Sequence, residues 1–222
     1  MAKYHKLHLF DVDISDEVRL RESDWVVPGR RIVEPVVTPI GKLGITTCYD
    51  LRFPELSGIL RSSGAEILAF PSAFTVATGM AHWEVLLRGR AIDTQCYVVA
   101  AAQTAKHNAK RCSYGHAMVI DPWGTVVAQC SPSPWPQICT ADVDLHFLED
   151  VRKRLPVEQH RRRDVYVLRR ETSLPETIQP QDSFPFGDKI IPSPCVFYVS
   201  SYSYAFVNRK PVVEGRKFAQ AS

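Results

Sequence analysis

The chain has 222 residues, 45% of them hydrophobic and 23% charged, with a formal net charge of +3 at pH 7. That length holds one or two domains, with enough apolar residues for a buried core. No apolar stretch is long enough to span a bilayer, and +3 is too little charge to draw in nucleic acid, so neither a membrane nor a nucleic acid is an expected partner.

In chain order, residues 4–11 alternate apolar and polar positions, which predicts a half-buried strand carrying Lys6 and His8. A lysine in such a setting is rarely left without a partner. Residues 44–47 read as a buried strand that stops at Cys48. The turn Cys48-Tyr49-Asp50-Leu51-Arg52 then leads into a helix with Pro54 at its first position and Glu55 in its first turn. A free thiol is most often a structural, buried group. Cys48 instead sits between a strand end and a helix mouth, with Asp50, Arg52 and Glu55 around it, where a thiol is accessible and backbone N–H groups can favour a thiolate.

Residues 67–70 predict a short buried strand, and residues 81–96 a helix with Trp83, Leu86, Leu87, Ala91 and Ile92 on one face. Trp83 reads as structural. Residues 97–102 form an apolar strand, and residues 118–120 and 126–128 flank the turn Asp121-Pro122-Trp123-Gly124 as a hairpin. Residues 141–145 suggest a last strand before a helix over 147–154. The basic cluster at Arg152 to Arg154 and Arg161 to Arg163 is local and reads as a rim or interface. Residues 171–185 are polar and proline-punctuated, the composition of a linker. Residues 195–199 and 202–207 predict a hairpin. The six cysteines show no Cys-x-x-Cys spacing, which argues against structural zinc and suits a reducing compartment. The opening residues carry no apolar signal core, so the expected location is cytoplasmic, or mitochondrial if a targeting segment lies upstream.

The segment Tyr4-His5-Lys6-Leu7-His8-Leu9-Phe10-Asp11 resembles the lysine block of the nitrilase superfamily, and Cys48 to Glu55 resembles its cysteine block. Phe70 to Phe74, His82 to Arg88, Arg90 to Gln103, Ser113 to His116 and Asp121 to Thr125 follow in the family's order and are most similar to its Nit branch, the deaminated glutathione amidases. The resemblance implies an α/β protein with a four-layer α-β-β-α sandwich, incomplete at its N-terminal side. It also implies hydrolysis of a small linear amide, an ω-amide of the α-keto acid type, without metal or cofactor, in a dimeric or tetrameric homo-oligomer.

Cys48 is then the nucleophile that forms a thioester, Lys6 and the backbone of Tyr49 stabilise the oxyanion, and Glu22 matches a second glutamate near them. Phe74 and Glu84 are expected at the substrate pocket, with His116 close behind. The family's general-base glutamate lies upstream of the lysine block, so impaired catalysis is expected of this chain.

Residues 186–215, with the core Asn208-Arg209-Lys210-Pro211-Val212-Val213, resemble the opening of Fhit-like histidine triad hydrolases, of the α+β class. Asn208 matches a nucleotide-contacting residue there, and no histidine follows His160. The expected organisation is a nitrilase-like domain over 1–168, a linker over 169–185 and a Fhit-like fragment over 186–222, an order that resembles Nit–Fhit fusions. Two other functions follow from it: dinucleoside triphosphate hydrolysis by the Fhit-like half, and a non-catalytic oligomerising role.

Overall fold

The structure, a computed structural model, describes residues 2–15, 18–109, 111–131, 133, 135–170, 183–186, 189–192, 196–199, 203–207 and 217–221. The chain divides into two compact units, Met1–Arg170 and Glu171–Ser222.

The first unit opens with an extended segment and the antiparallel pair β1 (Asp11–Ser15) and β2 (Val18–Arg21). Then come β3 (Val36–Thr38), β4 (Gly41–Ile45), α1 (Pro54–Ser62), β5 (Ile67–Ala69), α2 (Val76–Thr78), α3 (Glu84–Thr94) and β6 (Tyr97–Ala100). The unit continues with β7 (Thr104–Lys106), β8 (Cys112–Tyr114), β9 (Met118–Ile120), β10 (Val126–Gln129), α4 (Leu145–Arg154) and α5 (Val157–His160). Six strands make one sheet in the order β10-β9-β6-β5-β4-β3. Its centre, β4-β5-β6, is parallel, and the outer pairs are antiparallel. Parallel neighbours need crossovers, and α1 and α3 supply them.

Side chains on each strand alternate between the two faces. Leu68, Phe70, Val98, Ala100, Met118 and Ile120 meet Leu56 and Leu60 of α1 and Leu87 and Ala91 of α3 in the main core, all buried. Ile67 and Tyr97 belong to the other face, where Leu148 of α4 packs on them. Each such leucine contributes about 1.5–3 kcal/mol by leaving water. The Tyr97 hydroxyl donates to the Asp144 carbonyl at 3.3 Å and accepts from the Asp144 N–H at 3.1 Å, fixing the start of α4.

Three local expectations are corrected. Residues 4–10 are not a strand. The N–H groups of His8 and Phe10 are taken by the carboxylates of Asp50 (3.0 Å) and Glu22 (2.7 Å), so side chains replace a neighbouring strand. Residues 141–144 are not a strand either. The Asp144 carboxylate accepts from the N–H groups of His146 and Phe147 and caps α4. The helix expected over 81–96 begins as a π turn, Gly79–Trp83, and runs as α-helix only from Glu84. The basic cluster is largely spent on structure: Arg152 donates to the carbonyls of Gln95 and Ala65, Arg161 and Arg163 pair with Glu158, and Arg162 pairs with Asp164.

The second unit contains β11 (Ser183–Phe186) paired antiparallel with β12 (Lys189–Pro192), and an antiparallel sheet of β13 (Val196–Val199), β14 (Ser203–Val207) and β15 (Lys217–Ala221). The hairpin predicted over 195–207 is present. It gains a third strand that the sequence reading missed, because Lys217 to Ala221 is short, lacks β-branched residues and has two alanines, a composition that gives little strand signal. Of the expected linker, residues 171–182 lie outside the described residues, and Ser183 to Pro185 begin β11.

Candidate active site

A cavity of about 660 Å³ opens at the C-terminal ends of the parallel strands, where the loops after β4, β5 and β6 converge. Open α/β sheets offer their binding crevices at that end. Cys48 starts a 3-10 turn, Cys48–Arg52, immediately after β4. Its φ of +51° lies in the left-handed region, which is unfavourable for a side chain with a Cβ. The strain is held in place by the Cys48 N–H donating to the Pro71 carbonyl at 3.0 Å and by a reciprocal box between Thr47 and Asp50. The buried Arg90 adds a further tie, its Nε donating to the Leu51 carbonyl at 3.1 Å. Such strain on a residue that faces a cavity is a functional signal.

Lys6 reaches the same cavity from the extended N-terminal segment. Its ammonium donates to Glu22 Oε2 at 2.5 Å, and the lysine side chain is 10% exposed. Glu22 Oε2 also accepts from the Phe10 N–H, so one carboxylate oxygen anchors both the lysine and its backbone. The segment is docked on the cysteine turn through Asp50, which is fully buried and accepts from the Tyr4 hydroxyl at 2.6 Å and from the His8 N–H at 3.0 Å. Burial first, and then the bond to Asp50, push the Tyr4 hydroxyl pKa far above its ordinary value, so it stays a donor. The His8 ring stacks on Phe53 at 3.7 Å.

Tyr49, Phe74 and Arg52 line the cavity beside Cys48. The Arg52 guanidinium lies over the Phe74 ring at 5.4 Å and the Tyr49 ring at 5.9 Å, and donates to His82 Nδ1. Among the described residues no group of three or more His, Cys, Asp and Glu side chains comes together as a metal site requires.

The carbon-nitrogen hydrolase family model matches residues 1–153. The chain belongs to the carbon–nitrogen hydrolase family. A nitrilase and fragile histidine triad fusion protein of Caenorhabditis elegans is 52% identical over 214 residues, covering 96% of this chain and 47% of that protein. Human deaminated glutathione amidase is 58% identical over 166 residues, 75% of this chain and 50% of that one. The crystal structure of the C. elegans NitFhit protein superposes with a TM-score of 0.74 at 51% identity, covering 99% of this chain and 52% of that one. The chain thus spans about half the length of the curated relatives it matches. Its fold is the mixed α/β fold of nitrilase superfamily members, and its sequence is that of a Nit-branch carbon–nitrogen hydrolase.

In this member of the family, the structure brings Lys6, Glu22, Cys48, Tyr49 and Phe74 to one cavity. Glu84 is corrected: it lies outside the cavity lining, exposed on the first turn of α3, 3.5 Å from Arg88 one turn on. The helix turns it away because Trp83, beside it, is the buried position and donates Nε1–H to the His116 carbonyl at 2.7 Å. His116 also lies outside the lining, its ring stacked on Tyr114. Asn208 lies outside the described residues. Sequence reasoning missed Asp50 as the anchor of the lysine segment, and Arg21 and Arg111 as cavity residues. Only the clustering of Asp50 with Cys48 was a visible signal; the two arginines gave none.

Proposed function

We propose that the cavity acylates Cys48 with a small linear amide of the α-keto acid type, as in deaminated glutathione amidases. The observation that carries it is the meeting of the strained Cys48 with the paired Lys6 and Glu22 in one cavity. The Cys48 sulfur attacks the amide carbonyl carbon, and the C=O electron pair moves to oxygen. Lys6 Nζ–H and the backbone N–H of Tyr49, at the start of a helical turn where such groups lack intrahelical partners, stabilise that oxyanion. The C–N bond then breaks, the leaving nitrogen takes the proton given up by the Cys48 thiol, and water adds to the thioester carbonyl, releasing the acid and returning a proton to the Cys48 sulfur. Arg52 beside the nucleophile suits a carboxylate on the acyl side.

Glu22 is the one carboxylate lining the cavity among the described residues, and it is committed to Lys6. The proton transfers therefore call for a base in addition to Glu22. Partners in a catalytic constellation act as a unit, so that base is expected to work together with Lys6, Glu22 and Cys48. Intact-mass measurement after incubation with an α-keto acid ω-amide tests the reading. The expected product is a single acyl increment, absent from Cys48→Ala. Absence of any increment on a chain whose Cys48 still reacts with iodoacetamide would sink it.

A further inference from the structure

Cys130 and Cys139 stand apart from the other described cysteines. Cys48 and Cys112 line the cavity, and Cys96 is fully buried, its thiol donating to the Ala65 carbonyl at 3.2 Å. Cys130 and Cys139 are half-buried, lie outside the cavity lining, and have their thiols in hydrogen-bond contact with each other. Eight residues separate them, so no local cysteine spacing announces the pair.

The backbone builds that contact. β10 runs antiparallel to β9, and Cys130, just past its end, prolongs the pairing by donating its N–H to the Ala117 carbonyl at 2.8 Å. The chain then leaves the sheet and returns to the same carbonyl, which lies 3.9 Å from the Cys139 sulfur. One backbone oxygen thus receives both ends of the loop 130–139. Within the loop, the Ser131 hydroxyl and the Gln137 side-chain amide are bonded to each other at 3.2 to 3.3 Å. A disulfide needs two sulfurs about 2 Å apart on Cβ atoms about 3.8 Å apart, and a loop already closed at its ends approaches that with little further loss of chain freedom. The loop also reaches towards the cavity wall. The Ser133 carbonyl accepts from the Thr104 hydroxyl at 3.1 Å, beside the lining residue Gln103.

We infer that Cys130 and Cys139 form a redox modification site, oxidised by a hydroperoxide to a disulfide that straps the loop 130–139 and reopened by a small thiol. Burial first, and then the neighbouring Cys130 thiol, push the Cys139 pKa up, so Cys139 rests as a thiol and Cys130 makes the first attack. The Cys130 thiolate attacks a peroxide oxygen, the O–O bond breaks, and the departing oxygen takes the proton that Cys130 gave up. Cys130 is then a sulfenic acid. The Cys139 sulfur attacks the Cys130 sulfur, the S–O bond breaks, and the hydroxide leaves as water with the Cys139 proton. The two thiols lose two electrons and the hydroperoxide gains them, becoming an alcohol or water. Two molecules of a small thiol return those electrons by exchange, which makes the disulfide transient in a reducing compartment.

The test reads the wild-type chain directly. The protein is treated with an equimolar amount of hydrogen peroxide, alkylated with N-ethylmaleimide in acidic denaturant to stop exchange, and cut before its aspartates. Asp121 to Ala141 then forms one peptide that holds Cys130 and Cys139 and no other cysteine. The expected peptide is unalkylated and lighter by two hydrogens, and it gains both alkyl groups after dithiothreitol. In Cys130→Ser the loss of alkylatable Cys139 slows roughly tenfold or more, because the sulfur held beside it is gone. In Cys139→Ser, Cys130 stops at the sulfenic acid and is captured by dimedone. A peptide that keeps both alkyl groups while Cys48 or Cys112 is oxidised overturns the inference, as does a crosslink from it to any other cysteine. Loss of Cys139 at the wild-type rate in Cys130→Ser overturns it too. Serine matches cysteine closely in size, and a thermal melt verifies that both variants are folded.

Discussion

Asp50 shows how one buried side chain sets a site. Its carboxylate accepts from the Tyr4 hydroxyl, the His8 N–H, His8 Nδ1 and the Thr47 N–H, over distances of 2.6 to 3.0 Å, and it is closed to water. Asp50→Asn leaves several of these donors facing an amide. The expected cost is about 3 kcal/mol, read by urea unfolding, with hydrogen exchange rising in residues 4–10 ahead of the rest. Lys6 acts at the next position of that segment. Lys6→Met is expected to slow acylation of Cys48 by roughly a hundred- to a thousandfold, the loss seen when one oxyanion donor is removed, while leaving the melt within a few degrees. A fall in acylation no larger than tenfold would assign Lys6 to holding Glu22 alone. Lys6, Glu22 and Cys48 were legible because their neighbours in sequence form recognisable blocks. Asp50 was not, since its partners lie more than forty residues away.

At the scale of elements, the π turn Gly79–Trp83 lies against the hairpin that carries Arg111. A Cβ at Gly79 would come within 2.2 Å of Tyr114 Cγ, and Tyr114 is held by the Phe74 carbonyl and by pairing with Thr104. Gly79→Ala is therefore expected to destabilise by about 1–3 kcal/mol through overpacking, a fall of several degrees in Tm for a chain of this size.

Two other junctions give the melt a pH dependence. Burial pushes the Cys96 thiol, between α3 and β6, above its ordinary pKa, although Arg152 draws the other way. Its contribution to stability is complete below the unfolded thiol's pKa of about 8.5 and is lost as pH rises beyond it, because only the unfolded chain ionises readily. Glu158 of α5 has the opposite sign. Burial would raise its pKa, but the Ser62 hydroxyl, Arg161 and Arg163 outweigh that and hold it below the usual carboxylate range. Its contribution is present above the unfolded pKa of about 4.3 and is lost as pH falls through the lowered folded value. Thermal melts across pH should fall at both ends, with Cys96→Ala flattening the alkaline limb and Glu158→Gln the acid one. A melt that keeps its alkaline limb in Cys96→Ala would place the titrating group elsewhere, with Tyr97, whose pKa burial also raises, the next candidate.

For the molecule as a whole, the informative surface runs along α2 and α3. Val76, Met80, Val85 and Ile92 are exposed, Met80 at 73% and Val85 at 71%. The π turn adds one residue per turn, which keeps Met80 and Val85 on one face despite their five-residue spacing. Trp123 is exposed beside Gly124, whose Cβ would meet Ile92. Exposed apolar stripes of that kind often mark association surfaces, and we propose a second copy of the chain as its cover. Sedimentation should show a concentration-dependent dimer or tetramer in the wild type and a shift toward monomer in Val85→Asp. A Val85→Asp chain that associates as before would move the interface to another face.

The sequence by itself determined what depends on near neighbours. The Cys48 turn after a strand, Pro54 opening α1, the apolar strands at 67–69 and 97–100, and the hairpin around Asp121 to Gly124 all follow from local spacing and turn chemistry. The family resemblance lay in those same stretches. Tertiary structure decided whatever needed a distant partner. It made residues 4–10 a docked segment instead of a strand, because the carboxylates of Asp50 and Glu22 took the backbone donors a neighbouring strand would have used. It turned residues 141–144 into the approach to a capped helix, because the Tyr97 hydroxyl holds Asp144 at its start. It sent Glu84 to the surface and set Arg111 at the cavity wall. Side-chain pairing across the chain is decided by which surfaces meet when the core closes, and one-dimensional spacing carries no record of that.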